Sequence, residues 1–343
     1  MSNLDKLLAV FEETSSKLLD LVRSLLGFSG NRLSRYLKEV ENIASAMQEE
    51  AVILLLQVIE ESYRQGSNEA INTLKMTGLE NINAKLSIGV DRAAVQQIVD
   101  DAFYSILEAT DFMTQDTKER IEVIVQEANR AAIVEGQSRR VATQKAIAEA
   151  TDRGITGIIA RNGARIPVEK YLAGTVQYYQ RKAHVDGVLN RMTQNNLDLI
   201  YVNSVGITCS KCAQYQGRVY SVSGNDKRFP QLIERPPYHA HCVHSAYPWI
   251  EEYEDVEEVQ RMLVDSNRPF EDNRAERHIQ RYNELQKEKS KKNEVRKQWI
   301  RYKSRMPDLP DLRSFASHKA RNTQKYQDWM EEYRKFGEIA RES

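Results

Sequence analysis

Cys209-x2-Cys212 and His239-x2-Cys242 are two pairs of potential ligands with the same two-residue gap, separated by twenty-six residues. Thiolate and imidazole are soft and borderline donors, and four of them in two pairs suit a tetrahedral zinc ion. Two residues between ligands let a tight turn aim both side chains at one point. The intervening segment is long enough to form a hairpin that returns the second pair, and Pro236 and Pro237 would stiffen that return. Four protein ligands close the coordination sphere and leave no position for an activated water, so the expected role is stabilisation and not zinc catalysis. His241 and His244 compete with His239 for the fourth place. The cluster uses all three cysteines of the chain, an odd number in a short window, which fits metal ligation in a reducing cytoplasm better than a disulfide framework. Reduced metal-free thiols, a disulfide, and a metal other than zinc stay open as alternatives.

Catalytic signatures are missing elsewhere: there is no HExxH, no phosphate-binding glycine loop, no GxSxG and no HxE partner for a deaminase-like zinc. The chain therefore reads as a non-enzyme. The competing enzymatic reading is a metal-dependent nuclease in which His239, His241 and His244 surround a catalytic ion while the cysteines hold a structural one.

A second concentration of chemistry lies in residues 274–305, where twelve Lys or Arg face four Glu, a net charge of +8 in a chain whose overall net charge is zero. Arg274, Arg277, Arg281, Lys287, Lys289, Lys291, Lys292, Arg296 and Lys297 could neutralise DNA phosphates without sequence preference or meet an acidic partner surface. A solvated helix face explains the same charges.

The elements that must position these residues are mostly helical. With 15 glycines, 8 prolines and the first proline at Pro167, the N-terminal half lacks the strongest helix breaker. Apolar residues recur at three- and four-residue intervals from Leu4 through Leu7, Leu8, Phe11, Leu18, Leu19, Val22, Leu25 and Leu26, the mark of one buried helical face. Further helices are expected over about 33–63, 69–86, 91–110 and from 116 onward. Their stripes fit a bundle, an extended arm, or docking on neighbouring subunits equally well. The longest strongly apolar run, residues 51–59, is under half the length a bilayer crossing needs, so no membrane association is expected.

After residue 152 the pattern changes. Ile158, Ile159, the hairpin signal Asn162-Gly163 and Ile166-Pro167 predict a β-hairpin. A helix over 168–195 follows, then strands over 197–202 and 218–222 that bracket Cys209 and Cys212. Beyond an acidic patch at 251–258 the basic stretch reads as helix until Pro307 and Pro310, and a last helix spans about 322–339. The expected fold is mainly α with a small α+β domain: a helical arm or bundle over 1–152, a zinc-stapled α+β domain over 153–250, and a charged helical extension over 251–343.

Three segments in order, Thr208-Cys209-Ser210-Lys211-Cys212, Gln216-Gly217-Arg218-Val219-Tyr220-Ser221 and Pro236-Pro237-Tyr238-His239-Ala240-His241-Cys242-Val243-His244-Ser245, resemble the phage minor capsid proteins related to the Mu head-morphogenesis protein. The likeness extends through Asn162-Gly163-Ala164-Arg165, Arg181-Lys182-Ala183-His184 and Asn267-Arg268-Pro269-Phe270, and covers roughly residues 154–302. Family members read His-Pro-Asn-Cys-Arg where this chain has His239-Ala240-His241-Cys242-Val243, so both candidate ligands are kept and any role of that arginine does not transfer. What the resemblance implies is a low-copy tailed-phage head protein, incorporated into the procapsid near the portal. The implied partners are portal protein, major capsid or scaffolding protein, and phage DNA during packaging or ejection. The implied location is the virion, after assembly in the host cytoplasm.

Overall fold

The structure, a computed structural model of the chain, describes residues 1–27, 33–79, 82–85, 88–134, 138–152, 157–159, 165–306 and 308–342. Helix dominates, with ten α-helices among the described residues. The N-terminal half consists of α1 (Asn3–Ser24), which runs into a 3-10 turn, then α2 (Leu33–Met76), α3 (Ile88–Val134) and α4 (Arg139–Asp152).

Two breaks expected from the sequence are absent. α2 continues through Gly66, and α3 continues through Thr110 to Asp116. In both places the buried stripe carries on unbroken: Val58, Ile59, Ser62, Tyr63, Ser67, Ala70 and Leu74 in α2, and Ile106, Thr110, Met113, Thr117 and Ile121 in α3. Small hydroxyl residues fill inward positions there, so polarity that suggests a loop in the sequence sits inside a helix whose packing outweighs modest propensity differences. α2 also contains one window long and apolar enough to cross a bilayer by length and composition, of which 33% is buried. Its buried residues Ala44, Met47, Ala51, Leu55, Val58 and Ile59 recur at helical spacing, the pattern of a core helix.

β1 (Gly157–Ile159) and β2 (Arg165–Pro167) form the expected antiparallel hairpin, with Ile158 opposite Ile166. Its predicted turn, Asn162-Gly163, lies outside the described residues. α5 (Val168–Gln194) ends in a left-handed residue, Asn196 at φ 57°. Leu197 N–H donates to the Met192 carbonyl (3.0 Å) and Asn196 N–H to the Thr193 carbonyl (3.1 Å), which satisfies the terminal carbonyls and turns the chain directly into the sheet.

That sheet is antiparallel in the order β4-β3-β5, with β3 (Leu199–Val202) central, β4 (Arg218–Ser221) and β5 (Ala246–Pro248) outside. Strand alternation splits its faces. Ile200, Val202 and Tyr220 pack with Val185, Val188, Leu189 and Met192 of α5 and with Cys212 and Cys242. Leu199, Tyr201 and Val219 pack on the other side with Phe229, Trp249 and Met262, the last from α7 (Val256–Asn267). Between β3 and β4 lies α6 (Ser210–Ala213). The chain continues through α8 (Glu276–Arg305), α9 (Leu312–Ala320) and α10 (Gln324–Glu342).

Two compact units divide the chain, each assembled from three separate stretches. One comprises residues 1–7, 51–106 and 172–285 and contains the sheet and the cysteines. The other comprises 8–50, 107–171 and 286–343; its C-terminal part is an aromatic core in which Tyr302, Phe315, Tyr326 and Trp329 pack with Met306 and Leu309. Glu169, 4% exposed, is ion-paired there with Arg296.

Candidate metal centre

Cys209 is the N-cap of α6, in extended conformation, and its Sγ accepts the Cys212 N–H at 3.4 Å. One helical turn therefore brings the first pair of thiols onto the same side. α6 gives way to β4 through Gly217, whose φ of +70° is a left-handed conformation. A Cβ at that position would lie 2.7 Å from Ser204 Oγ, and the Gly217 N–H donates to the Val202 carbonyl at 2.8 Å, so a side chain there would oppose the turn that links the cysteines to the sheet.

The second group of ligands arrives on residues 236–244, where the Pro236–Pro237 peptide is cis. Tyr238 stacks on Tyr215, with ring centroids 4.2 Å apart. Two cations hold this segment by its carbonyls: Lys211 donates to the Tyr238 oxygen at 3.0 Å, and Arg181 of α5 donates to the Cys242 oxygen. The Cys242 N–H closes a turn on the His239 carbonyl at 2.9 Å.

Five side chains meet as two triples that share Cys212: Cys209, Cys212 and His239, and Cys212, Cys242 and His244. A tetrahedral zinc ion, with Zn–S of about 2.3 Å and Zn–N of about 2.0 Å, sets ligand-to-ligand edges of about 3.8 Å for two sulfurs and about 3.5 Å for sulfur and nitrogen. Cys212 Sγ and Cys242 Sγ are 3.8 Å apart, and Cys242 Sγ and His244 Nδ1 are 3.5 Å apart. His239 Nε2 is 3.3 Å from Cys209 Sγ and 3.1 Å from Cys212 Sγ. The donor types suit a zinc-sized cation, and the Cys212–Cys242 and Cys242–His244 edges match it, whereas His239 lies closer to its two sulfurs than a co-ligand would; Cys209 and Cys242 fall in different triples, so the four residues expected from the sequence do not form one mutual set.

The protonation states lean the same way. A hydrogen bond from Cys212 holds the Cys242 thiol down to about 3, against the effect of burial. The same bond, with burial, pushes Cys212 up, so the pair shares one proton. Burial lowers the His239 pKa, which favours the neutral ring that ligation requires. Cys212 and Cys242 are each 1% exposed and His244 3%, while His239 is half-buried. His241 is exposed and belongs to neither triple, so the three histidines of the nuclease reading are not gathered around one point.

The basic candidates divide. Arg274 is paired with Asp272 at 2.7 Å and donates to the Thr208 carbonyl at 2.8 Å. Arg281 is paired with Glu284, Lys297 with Glu294, and Arg296 with Glu169. Arg277, Lys287, Lys289, Lys291 and Lys292 are exposed and carry no ion pair among the described residues. On α8, Lys287 and Lys291 share one face and Lys289 and Lys292 an adjoining one, so with Arg277 these cations spread over roughly half of the helix circumference.

Sequence reasoning missed the residues that hold the cluster in place. Gln216 Oε1 accepts from His244 Nε2 at 2.9 Å and from the Val205 N–H at 3.0 Å. His184 of α5 pairs with Glu69 of α2 at 2.9 Å and reaches Ser245 Oγ at 3.4 Å. Arg181, His184 and Gln216 all fall in the quoted motifs, and only three-dimensional placement reveals what each one holds.

The family model for phage minor capsid protein 2 matches residues 30–333. The match takes in the long helices as well as the cysteine region and so reaches well beyond residues 154–302, where the motifs lie. No curated protein and no solved structure matches the chain.

Proposed function

The chain belongs to the phage minor capsid protein 2 family, whose role is structural and whose place is the phage head, and from that premise we propose that it joins the procapsid beside the portal and aids head morphogenesis. The family match over residues 30–333 is the observation that carries this reading. Its partners are then portal protein and major capsid or scaffolding protein, met during assembly in the host cytoplasm, with the finished virion interior as destination. The cysteine–histidine cluster serves as a structural zinc staple, with Cys209, Cys212, His239 and Cys242 as the starting ligand set and no catalytic residue. Long helices give such a protein extended faces for partners.

Co-expression with the portal protein of the same phage tests the proposal. The expected result is co-purification with portal and recovery of the chain from purified heads at low copy number; consistent absence from both sinks it.

A DNA-holding role for α8 is the second reading, favoured by its five exposed unpaired cations. Its signature is salt dependence: if all five meet phosphates, log K should fall against log salt with a slope of about −4 to −5 on duplex DNA. Lys287→Glu with Lys291→Glu should flatten that slope by about two units. A slope near zero removes this reading and leaves the assembly role intact.

A further inference from the structure

We infer that His244, through Nδ1, is the histidine that ligates a metal ion with Cys212 and Cys242, with Gln216 fixing its ring and Cys209, which lies in the other triple, drawn in on binding, and that His239 is a hydrogen-bond donor to the thiolates. The inference rests on the zinc-staple reading and changes its fourth ligand. Residues 242–247 alternate: Cys242, His244 and Ala246 are buried, whereas Val243 and Tyr247 are 57% and 40% exposed. Period-two alternation puts Cys242 and His244 side by side on the inward face, at the 3.5 Å expected of neighbouring ligands.

The hydrogen bonds on the two rings then decide between them. His244 Nε2 faces Gln216 Oε1, an acceptor, so the ring proton sits on Nε2 and the lone pair on Nδ1 points at Cys242. A ligating imidazole needs this arrangement, its second nitrogen donating to a fixed oxygen. Gln216 is itself held by the Val205 N–H, and Gly217 beside it is held by the Val202 carbonyl. His239 is set the opposite way. Its Nδ1 accepts the His241 N–H at 3.2 Å, so in the neutral ring the proton is on Nε2, the atom that faces both Cys209 and Cys212. Ligation through Nε2 would move that proton to Nδ1 and set it against a backbone N–H. As donor, His239 instead supplies N–H···S bonds that stabilise ligating thiolates.

Cobalt(II) titration of the metal-free full-length chain tests this, read by the visible d–d absorption of tetrahedral cobalt and by thiolate charge-transfer absorption. His244→Ala should weaken binding at least about 100-fold, His239→Ala less than about 10-fold, and Gln216→Leu about 10- to 100-fold with recovery in Gln216→Glu. Nitrogen-15 histidine spectra of the wild-type zinc form supply a reading that needs no buried substitution: His244 should show Nε2–H with Nδ1 metal-bound. Metal on His239 Nε2, or a loss in His239→Ala that equals or exceeds the loss in His244→Ala, overturns the inference and leaves the staple standing. Failure of the wild-type chain to take up cobalt or zinc overturns the staple and the inference together.

Discussion

Gly187→Ala should destabilise the cysteine-bearing unit by about 3 kcal/mol or more, well beyond the usual effect of adding one methyl group. A Cβ on Gly187 would lie 2.2 Å from the Tyr63 carbonyl oxygen and 3.0 Å from the Ser67 nitrogen, and one on Gly66 would lie 1.9 Å from the His184 carbonyl oxygen. Both obstacles are helix backbone, which cannot rotate aside as a side chain could. α2 and α5 therefore cross at a mutual glycine contact, and a methyl group on either side forces the helices apart. Separation would also strain the bonds built across that crossing: His184 to Glu69, Asn190 to Tyr63, and Arg191 to Ser67. Gly174→Ala, in the same helix, is the control. Its added Cβ meets Ala240 and His241 at 3.8 Å, ordinary contact distance. Relief of glycine's conformational entropy should make that substitution neutral or stabilising by up to about 1 kcal/mol. Urea unfolding followed by circular dichroism compares the three proteins, and a similar shift in both variants would refute the crossing argument.

The Cys209→Ser, Cys212→Ser double variant should lose all bound metal, from one zinc per chain to none by mass spectrometry, with a large drop in melting temperature. Structural zinc is worth about 10–16 kcal/mol of apparent binding free energy in small peptides, and whatever part of that couples to folding is lost with the ligands. The variant also leaves Cys242, 1% exposed, without the thiol hydrogen bond that holds it ionised. Because zinc binding displaces thiol protons, the wild-type protein should release its metal on acidification and its stability should fall with it. A wild-type protein without zinc, and a double variant that melts with it, would reduce the cluster to ordinary core cysteines.

The sequence carries a good deal of this fold. Helix periodicity, the 168–194 helix and both strands flanking the first cysteine pair follow from apolar spacing and turn residues, because those signals are local. The glycine contact does not follow. Gln65-Gly66-Ser67 has the composition of a break, yet the residue is there to let a distant helix approach, and nothing near it in sequence announces that partner. β5 and α7 were hidden for related reasons: a three-residue strand is defined by its neighbour, and the amphipathic spacing of Val259 and Met262 lies behind an acidic first turn. The cysteine spacing gave the cluster, but the choice among histidines depends on Gln216 and on the His241 backbone, which are hydrogen-bond partners and not spacing.

Each compact unit draws on three separated stretches of chain, and that sets a schedule for biosynthesis. The cysteine-bearing unit cannot close until residue 285 has left the ribosome, although its first stretch emerges long before, and the other unit waits for α9 and α10. At about 5–20 residues per second the nascent chain spends tens of seconds with α2 and α3 made and their partners missing. The part of the α2 stripe that α5 covers, around Ala70, is exposed until α5 emerges. Host chaperones, or co-translated head proteins that cover that stripe, would set the yield of this protein as much as its final stability does.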